Sequence, residues 1–222
     1  MKLKQLLRRR WALPALCYLV ALAVWIVLGA AALAGDIWAR SRGSLSEQTL
    51  HAADFTLDGL EPLEGRADGE AEMLVTTTGD PQMLLADLGG RTVRTLQVFA
   101  RYEGDAREMC LYYTTAAGQP YSPDRRVYPA QQADGSYLYT LPRTRIVSLR
   151  LDPCSPDENK TVQMTFAPGT ITLNAADSLP AAWQYFVPSW YQAFCLVLYP
   201  ALAAAALSWL RAVWRALRRK TA

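Results

Sequence analysis

Both ends of this sequence lack acidic residues. Residues 1–34 and 190–222 contain no aspartate or glutamate, although the chain of 222 residues holds 20 of them. Histidine is almost missing as well, with His51 the only one. A histidine-based triad or a histidine-rich metal site therefore has little to be built from. No Asp-x-Asp pair occurs, which removes the usual metal-assisted grip of glycosyltransferases on nucleotide sugars. There is no P-loop and no dinucleotide fingerprint. Paired carboxylates can serve a glycosidase, but the sequence singles out no such pair. The expectation is a chain without catalytic residues, metal or cofactor.

The ends are instead basic. Lys2, Lys4, Arg8, Arg9 and Arg10 precede one apolar run, and Arg211, Arg215, Arg218, Arg219 and Lys220 follow the other. Removing those ten from the 23 basic residues leaves 13 in the middle against all 20 acids, a net of −7. The overall charge of +3 thus belongs to the flanks, and no nucleic-acid partner is expected.

From Trp11 to Ala34 the chain runs 24 residues without a charge, and from Trp190 to Leu210 it runs 21. At about 1.5 Å per residue, each helix is long enough for a hydrocarbon layer of about 30 Å. Lipid forces each span to be helical, because no water is there to satisfy its backbone. Pro14 falls in the first turn of one span, and Pro200 near the middle of the other is expected to kink it. Trp183, Tyr185, Phe186, Trp190 and Tyr191 on one side of the second run, with Trp209 and Trp214 on the other, match two headgroup layers. Basic flanks stay in the cytoplasm, so a two-pass inner-membrane topology with both termini inside is expected. Ala32-Leu33-Ala34 also fits a signal-peptide cleavage pattern, but the apolar stretch exceeds the usual core of about 7–15 residues, which favours an uncleaved anchor. Between the spans, residues 35–69 read as a connector, helical around Ser44–Ala53 because Ser44 and Glu47 fit a capping box. Residues 179–189 read as an interfacial linker, and 211–222 as a basic tail that continues the second helix.

In residues 70–178 the period changes to two. Leu96, Val98 and Ala100 alternate with Thr95, Gln97 and Arg101, Phe99 being the exception on the polar side, and Val147, Leu149 and Leu151 with Ile146, Ser148, Arg150 and Asp152. Val162, Met164 and Phe166 alternate with Gln163 and Thr165. Short β-rich runs at 71–78, 110–116, 137–141 and 170–174 are separated by turn signals such as Gly79-Asp80-Pro81, Gly89-Gly90 and Pro168-Gly169. The fold class expected is an all-β antiparallel sandwich flanked by two transmembrane α-helices. Outside the cytoplasm a disulfide between Cys110 and Cys154 is permitted, and spacing alone does not decide it. The sequon Asn159-Lys160-Thr161 is a glycosylation acceptor only in a eukaryotic source.

The order Gly79-Asp80-Pro81-Gln82, TVRTLQVFARY, CLYYTTAAGQPYSPDRR and SLRLDP, over residues 70–175, resembles galactose-binding-like jelly-roll domains. Such domains accompany bacterial membrane proteins and glycosyltransferases of cell-surface polysaccharide assembly. The resemblance implies a jelly roll and a place in the bacterial cell envelope. Six tyrosines fall between 112 and 139, and aromatic faces with nearby guanidinium groups suit sugar rings. Tyr113, Tyr121, Arg125, Arg126 and Tyr128, in and around the loop Gln119–Arg126, are the ligand-binding candidates. Asp80-Pro81-Gln82 and Arg150-Leu151-Asp152-Pro153 are expected to be structural, and Arg150 and Asp152, which share one face of their strand, to form an ion pair with a neighbour. The partners expected are a lipid bilayer, a glycan, and, in the alternative reading, a larger membrane enzyme or transporter against which the helices pack as a structural subunit.

Overall fold

The computed structural model describes residues 11–63, 72–104, 108–157 and 160–220, and side chains for all of these except 167–169 and 220. The N-terminal basic cluster and Asn159 of the sequon lie outside the described residues. The chain divides into two compact units. One comprises the residues up to Ile37 together with those from Pro180 onward, and the other is Trp38–Leu179.

The first unit contains most of helix α1 (Ala12–Ser41) and all of helix α2 (Trp190–Lys220). Both are long and apolar enough to cross a membrane, and only 6% and 11% of their most apolar stretches are buried. A soluble core helix would hide that face, whereas here Leu19, Val27, Val197 and Leu202 stand exposed. Pro200 sits inside a helix that continues through it, and α2 runs on into the basic tail as expected. The helices are tied by polar groups at their flanks. Tyr18 donates to the carbonyl of Val197 at 3.0 Å, and Trp25 to that of Phe186 at 3.2 Å. Tyr185, in the 3-10 turn Ala182–Phe186, donates to the buried carboxylate of Asp36 at 2.8 Å. Gly29 permits this approach, since a Cβ there would lie 2.8 Å from the Phe186 ring and 2.9 Å from the Tyr185 carbonyl.

The second unit is a pair of antiparallel sheets. Its strands are β1 (Gln48–Leu50), β2 (Thr56–Asp58), β3 (Leu60–Pro62), β4 (Glu72–Thr76), β5 (Gln82–Leu85) and β6 (Thr95–Glu103). They continue with β7 (Cys110–Thr114), β8 (Arg126–Val127), β9 (Ala130–Gln131), β10 (Tyr137–Thr140), β11 (Ser148–Asp152) and β12 (Gln163–Leu173). Seven strands form one sheet in the order β3-β4-β12-β6-β10-β9, with β1 paired to the end of β12, and five form the other in the order β2-β5-β11-β7-β8. Apolar members of the alternations meet in one core: Leu96, Val98, Met164, Phe166 and Ile171 from the first sheet, Met83, Leu111, Leu149 and Leu151 from the second, while just before β11 the buried residue is Ile146 rather than Val147.

Three expectations are corrected. The expected connector 35–69 supplies β1, β2 and β3, and no α-helix forms around Ser44–Ala53, where the chain makes β1 and the short 3-10 turn Ala52–Asp54 instead. Ser44 instead closes the end of α1, where its backbone N–H and its hydroxyl both donate to the Ala39 carbonyl and Gly43 takes a left-handed φ of 72°. Glu47, the expected capping partner, accepts from the backbone of Ala176 on the far side of the domain sequence. The helix thus runs seven residues past Ala34, because nothing before Gly43 terminates it. The Pro168-Gly169 turn is likewise absent. The runs 162–166 and 170–174 join into β12, whose register shifts between Phe166 and Ile171.

Asn174, just beyond β12, binds three segments together. It adopts φ 52°, its Oδ1 accepts from the Arg94 N–H at 2.7 Å, and its Nδ2 donates to the carbonyls of Thr92 at 2.8 Å and Ser46 at 3.3 Å. It is almost wholly buried, so its partners cannot turn to water instead. Asn174→Leu is expected to cost about 3 kcal/mol of stability, since several buried backbone groups lose their partner at once and leucine tolerates the left-handed conformation poorly. A lower denaturant midpoint at unchanged slope is the reading to obtain. In the helical unit, Gly29→Ala is expected to lower the Tm in detergent, although alanine favours a helix over glycine by up to about 1 kcal/mol. Gly35→Ala, where a Cβ meets nothing within 4 Å, is the control and is expected not to lower it.

Candidate functional site

The outer face of the five-stranded sheet gathers the polar aromatic groups. Along β7 the alternation sends Leu111 and Tyr113 to the core and Tyr112 outward. Tyr112 is in register with Arg150 of β11 on one side and Arg126 of β8 on the other. Its ring therefore lies between two guanidinium groups, with the Arg150 carbon 5.0 Å and the Arg126 carbon 6.0 Å from the ring centre. Arg126 also lies 4.8 Å from the ring of Tyr128, which is 54% exposed. With strands about 4.8 Å apart, the two arginines stand about 10 Å from each other across β7.

An ion-pair chain extends the strip. Arg150 binds Asp152 through two nitrogens, Nε at 2.7 Å and NH2 at 2.8 Å, and reaches Asp80 at 3.2 Å. The expected structural ion pair is this one, and it joins the two Asp-Pro motifs across β5 and β11. Burial pushes the Asp152 carboxyl above the usual carboxylate range, and the Arg150 guanidinium partly opposes that shift. Asp80, by contrast, is 69% exposed and leaves carboxylate oxygen open to solvent.

Burial also raises the Tyr112 phenol, against the pull of Arg126, and raises the Cys110 thiol to about 11, helped by the Asp152 charge. Cys154 is pushed up to about 12 by burial alone. Cys110 and Cys154 are separate buried thiols rather than a disulfide, and both are protonated at neutral pH. Cys110 donates to Asp152 at 3.8 Å, so one side of that carboxylate is held by a neutral group. Among the described residues, no cluster of three His, Cys, Asp or Glu is placed to hold a metal ion.

The five candidates separate cleanly. Arg126 and Tyr128 belong to the strip. Tyr113 does not, because it packs against the core opposite Leu149. The Tyr121 hydroxyl is spent on Ser148 at 3.1 Å and the Leu149 carbonyl at 3.2 Å, fastening the loop to β11. Arg125 donates to the Pro120 carbonyl at 2.6 Å and closes the neck of its own loop. Tyr112 and Arg150, which were not among the five candidates, stand on the strip beside Arg126 and Tyr128. Period two already separates adjacent Tyr112 and Tyr113, and Leu111 at the inward position assigns Tyr112 to the outer face.

No protein-family model matches the chain, and no curated protein does. Among solved structures, the chain is similar to a low-affinity xylan-binding module from Roseburia intestinalis, at 12% identity over 60% of this chain and 99% of that one, with a TM-score of 0.36. It is similar to a family 89 glycoside hydrolase from Clostridium perfringens at 16% identity and a TM-score of 0.31, over 57% of this chain and 15% of that one. A xyloglucanase domain of NopAA from Sinorhizobium fredii gives 8% identity and a TM-score of 0.23, over 58% of this chain and 98% of that one. Likeness this distant assigns no ligand to the chain.

Arg150→Met removes the partner of a buried carboxylate and is expected to cost about 3 kcal/mol at neutral pH. Asp152 already has a raised folded pKa, so the folded state binds more protons and this group's contribution to stability falls as pH rises through the carboxylate range. Without Arg150 that fall is steeper. The deficit of the variant is therefore expected to shrink as pH drops below about 5, which denaturant unfolding at several pH values measures.

Proposed function

We propose that this chain is a non-enzymatic, membrane-anchored, extracytoplasmic jelly-roll protein that binds glycan in the bacterial cell envelope. The observation that carries the reading is the strip Tyr128–Arg126–Tyr112–Arg150–Asp80 on the outer face of the five-stranded sheet. An exposed tyrosine ring offers a flat apolar surface to a sugar, while guanidinium donors and a solvent-facing carboxylate bond its hydroxyls. The ion pairs hold Arg150 in place before a ligand arrives, which reduces the entropy lost on binding. The anchoring half of the reading is supported by two apolar helices with exposed faces and by basic flanks on an otherwise acidic chain.

A second reading, a structural subunit of a larger membrane enzyme or transporter, is favoured by the helix pair. An apolar groove of about 690 Å³ runs between α1 and α2, lined by Leu16, Val20, Val24, Tyr199, Ala203 and Leu207. In detergent extracts this reading requires a stoichiometric membrane partner.

The full chain in detergent, titrated by calorimetry with envelope polysaccharide fragments, tests the first reading. Saturable binding that weakens about tenfold or more in Tyr128→Ala, equivalent to about 1.4 kcal/mol, is expected. Silence across a broad glycan panel, or binding indifferent to both Tyr112→Ala and Tyr128→Ala, overturns it.

A further inference from the structure

The two ends of the tyrosine strip differ in charge. At the β11 end, Arg150 faces two carboxylates, Asp152 at 2.7 Å and Asp80 at 3.2 Å, and its charge is balanced. At the β8 end, Arg126 meets aromatic rings, that of Tyr128 at 4.8 Å and that of Tyr112 at 6.0 Å. Among the described residues no carboxylate pairs with Arg126, and Asp124, two residues earlier in the 3-10 turn Pro123–Arg125, forms no ion pair. The Arg126 guanidinium is raised chiefly by a hydrogen bond with the Tyr112 phenol and secondarily by Tyr128 and Cys110, none of them a carboxylate. The strip is therefore polar along its length, cationic at β8 and neutral to anionic toward β5.

The strand geometry turns the cationic end outward. β8 is the outermost strand of its sheet, and its register sets Arg126 opposite Tyr112 and Val127 opposite Leu111. Val127 packs on the core, so Arg126 and Tyr128, one residue to either side of it, share the outer face. Stacking on a ring occupies the flat face of a guanidinium and leaves the N–H groups in its plane for a ligand. Those donors form a planar fork that matches a carboxylate bidentately. A sugar whose ring bears a carboxylate supplies both an apolar face for a tyrosine and an anion for the neighbouring arginine.

We propose that the strip selects acidic glycan, with a uronic acid residue lying on Tyr128 and its carboxylate paired with Arg126. The proposal rests on the glycan-binding reading of this face and narrows it to a substrate class. Asp80 and Asp152 repel an anion at the other end, which confines the acidic residue to the β8 edge.

The full chain in detergent, titrated by calorimetry, tests this with hyaluronan oligosaccharides, in which uronate and neutral residues alternate, and with oligogalacturonides. Each is compared with the same oligosaccharide after reduction of its carboxylates to alcohols. At least one acidic form is expected to bind about tenfold or more tightly than its reduced counterpart. In Arg126→Gln the ratio of the two affinities is expected to fall to about one, and in Arg126→Lys, which keeps the charge but not the fork, to an intermediate value. Near-ultraviolet circular dichroism confirms that the variants are folded. The wild-type ratio is also expected to narrow as sodium chloride is raised to about 0.5 M, and a ratio indifferent to salt overturns the proposal without any variant. A preference undiminished in Arg126→Gln overturns it too. Affinity for acidic forms no greater than for neutral ones overturns this inference alone, whereas silence toward acidic and neutral glycans alike removes the glycan reading with it.

Discussion

The sandwich is organised around one long strand and the amide that ends it. Strand β12 pairs with β6 along one edge and, along the other, with β4 over its first half and β1 over its second. The register shift between Phe166 and Ile171 makes that division possible, since a bulge bends a strand and lets its two halves meet different neighbours. At the end of β12, Asn174 gathers the loop before β6 and the segment before β1. A buried amide with both ends committed cannot slide, so the register of the central strands and the position of the entering chain are set together. The loop that bears Arg91 and Arg94 inherits its place from the same contacts.

The tyrosine strip depends on a different device, the pairing of β7 between β8 and β11. Cross-strand neighbours on one face stand about 5 Å apart, so placing an arginine on each flanking strand brackets Tyr112 without any loop being involved. Arg150 then anchors the strip, because a guanidinium held by Asp152 and Asp80 loses little freedom when it meets a ligand. A structural ion pair and a binding group can thus be one residue. Sorting Arg150 and Asp152 as structural was correct for their bond and silent about the face that the bond presents.

What was legible in the sequence followed from periodicity and composition. The strands beginning at Thr95 and Ser148 were marked by alternation, those beginning at Cys110 and Tyr137 by β-branched and aromatic content between turn signals, and the helices by long uncharged runs. The strands β1, β2 and β3 were not, because runs of three residues carry too little pattern to separate from a connector. The Ser44–Glu47 signature misled for a physical reason: a hydroxyl and a carboxylate three residues apart satisfy orphan backbone groups wherever they find them. Here those groups belong to the end of α1 and to Ala176. Of the five candidates, Arg126 and Tyr128 are the two that the structure places on the strip. Arg125 and Tyr121 look equivalent to them in sequence, and only the loop's own hydrogen bonds divide anchors from presented groups.

Net charge also conceals placement. The middle of the chain sums to −7, which describes an acidic domain. Yet four of its 13 basic residues line a single cleft and two more bracket Tyr112. A mean charge governs solubility and long-range repulsion, whereas recognition depends on the field at a concave wall within about 10 Å. On the strip the two arginines are held by different forces: Arg150 is paired with Asp152 and Asp80, while Arg126 lies against the rings of Tyr112 and Tyr128. One tyrosine is thus bracketed by a neutralised guanidinium on one side and a ring-stacked one on the other.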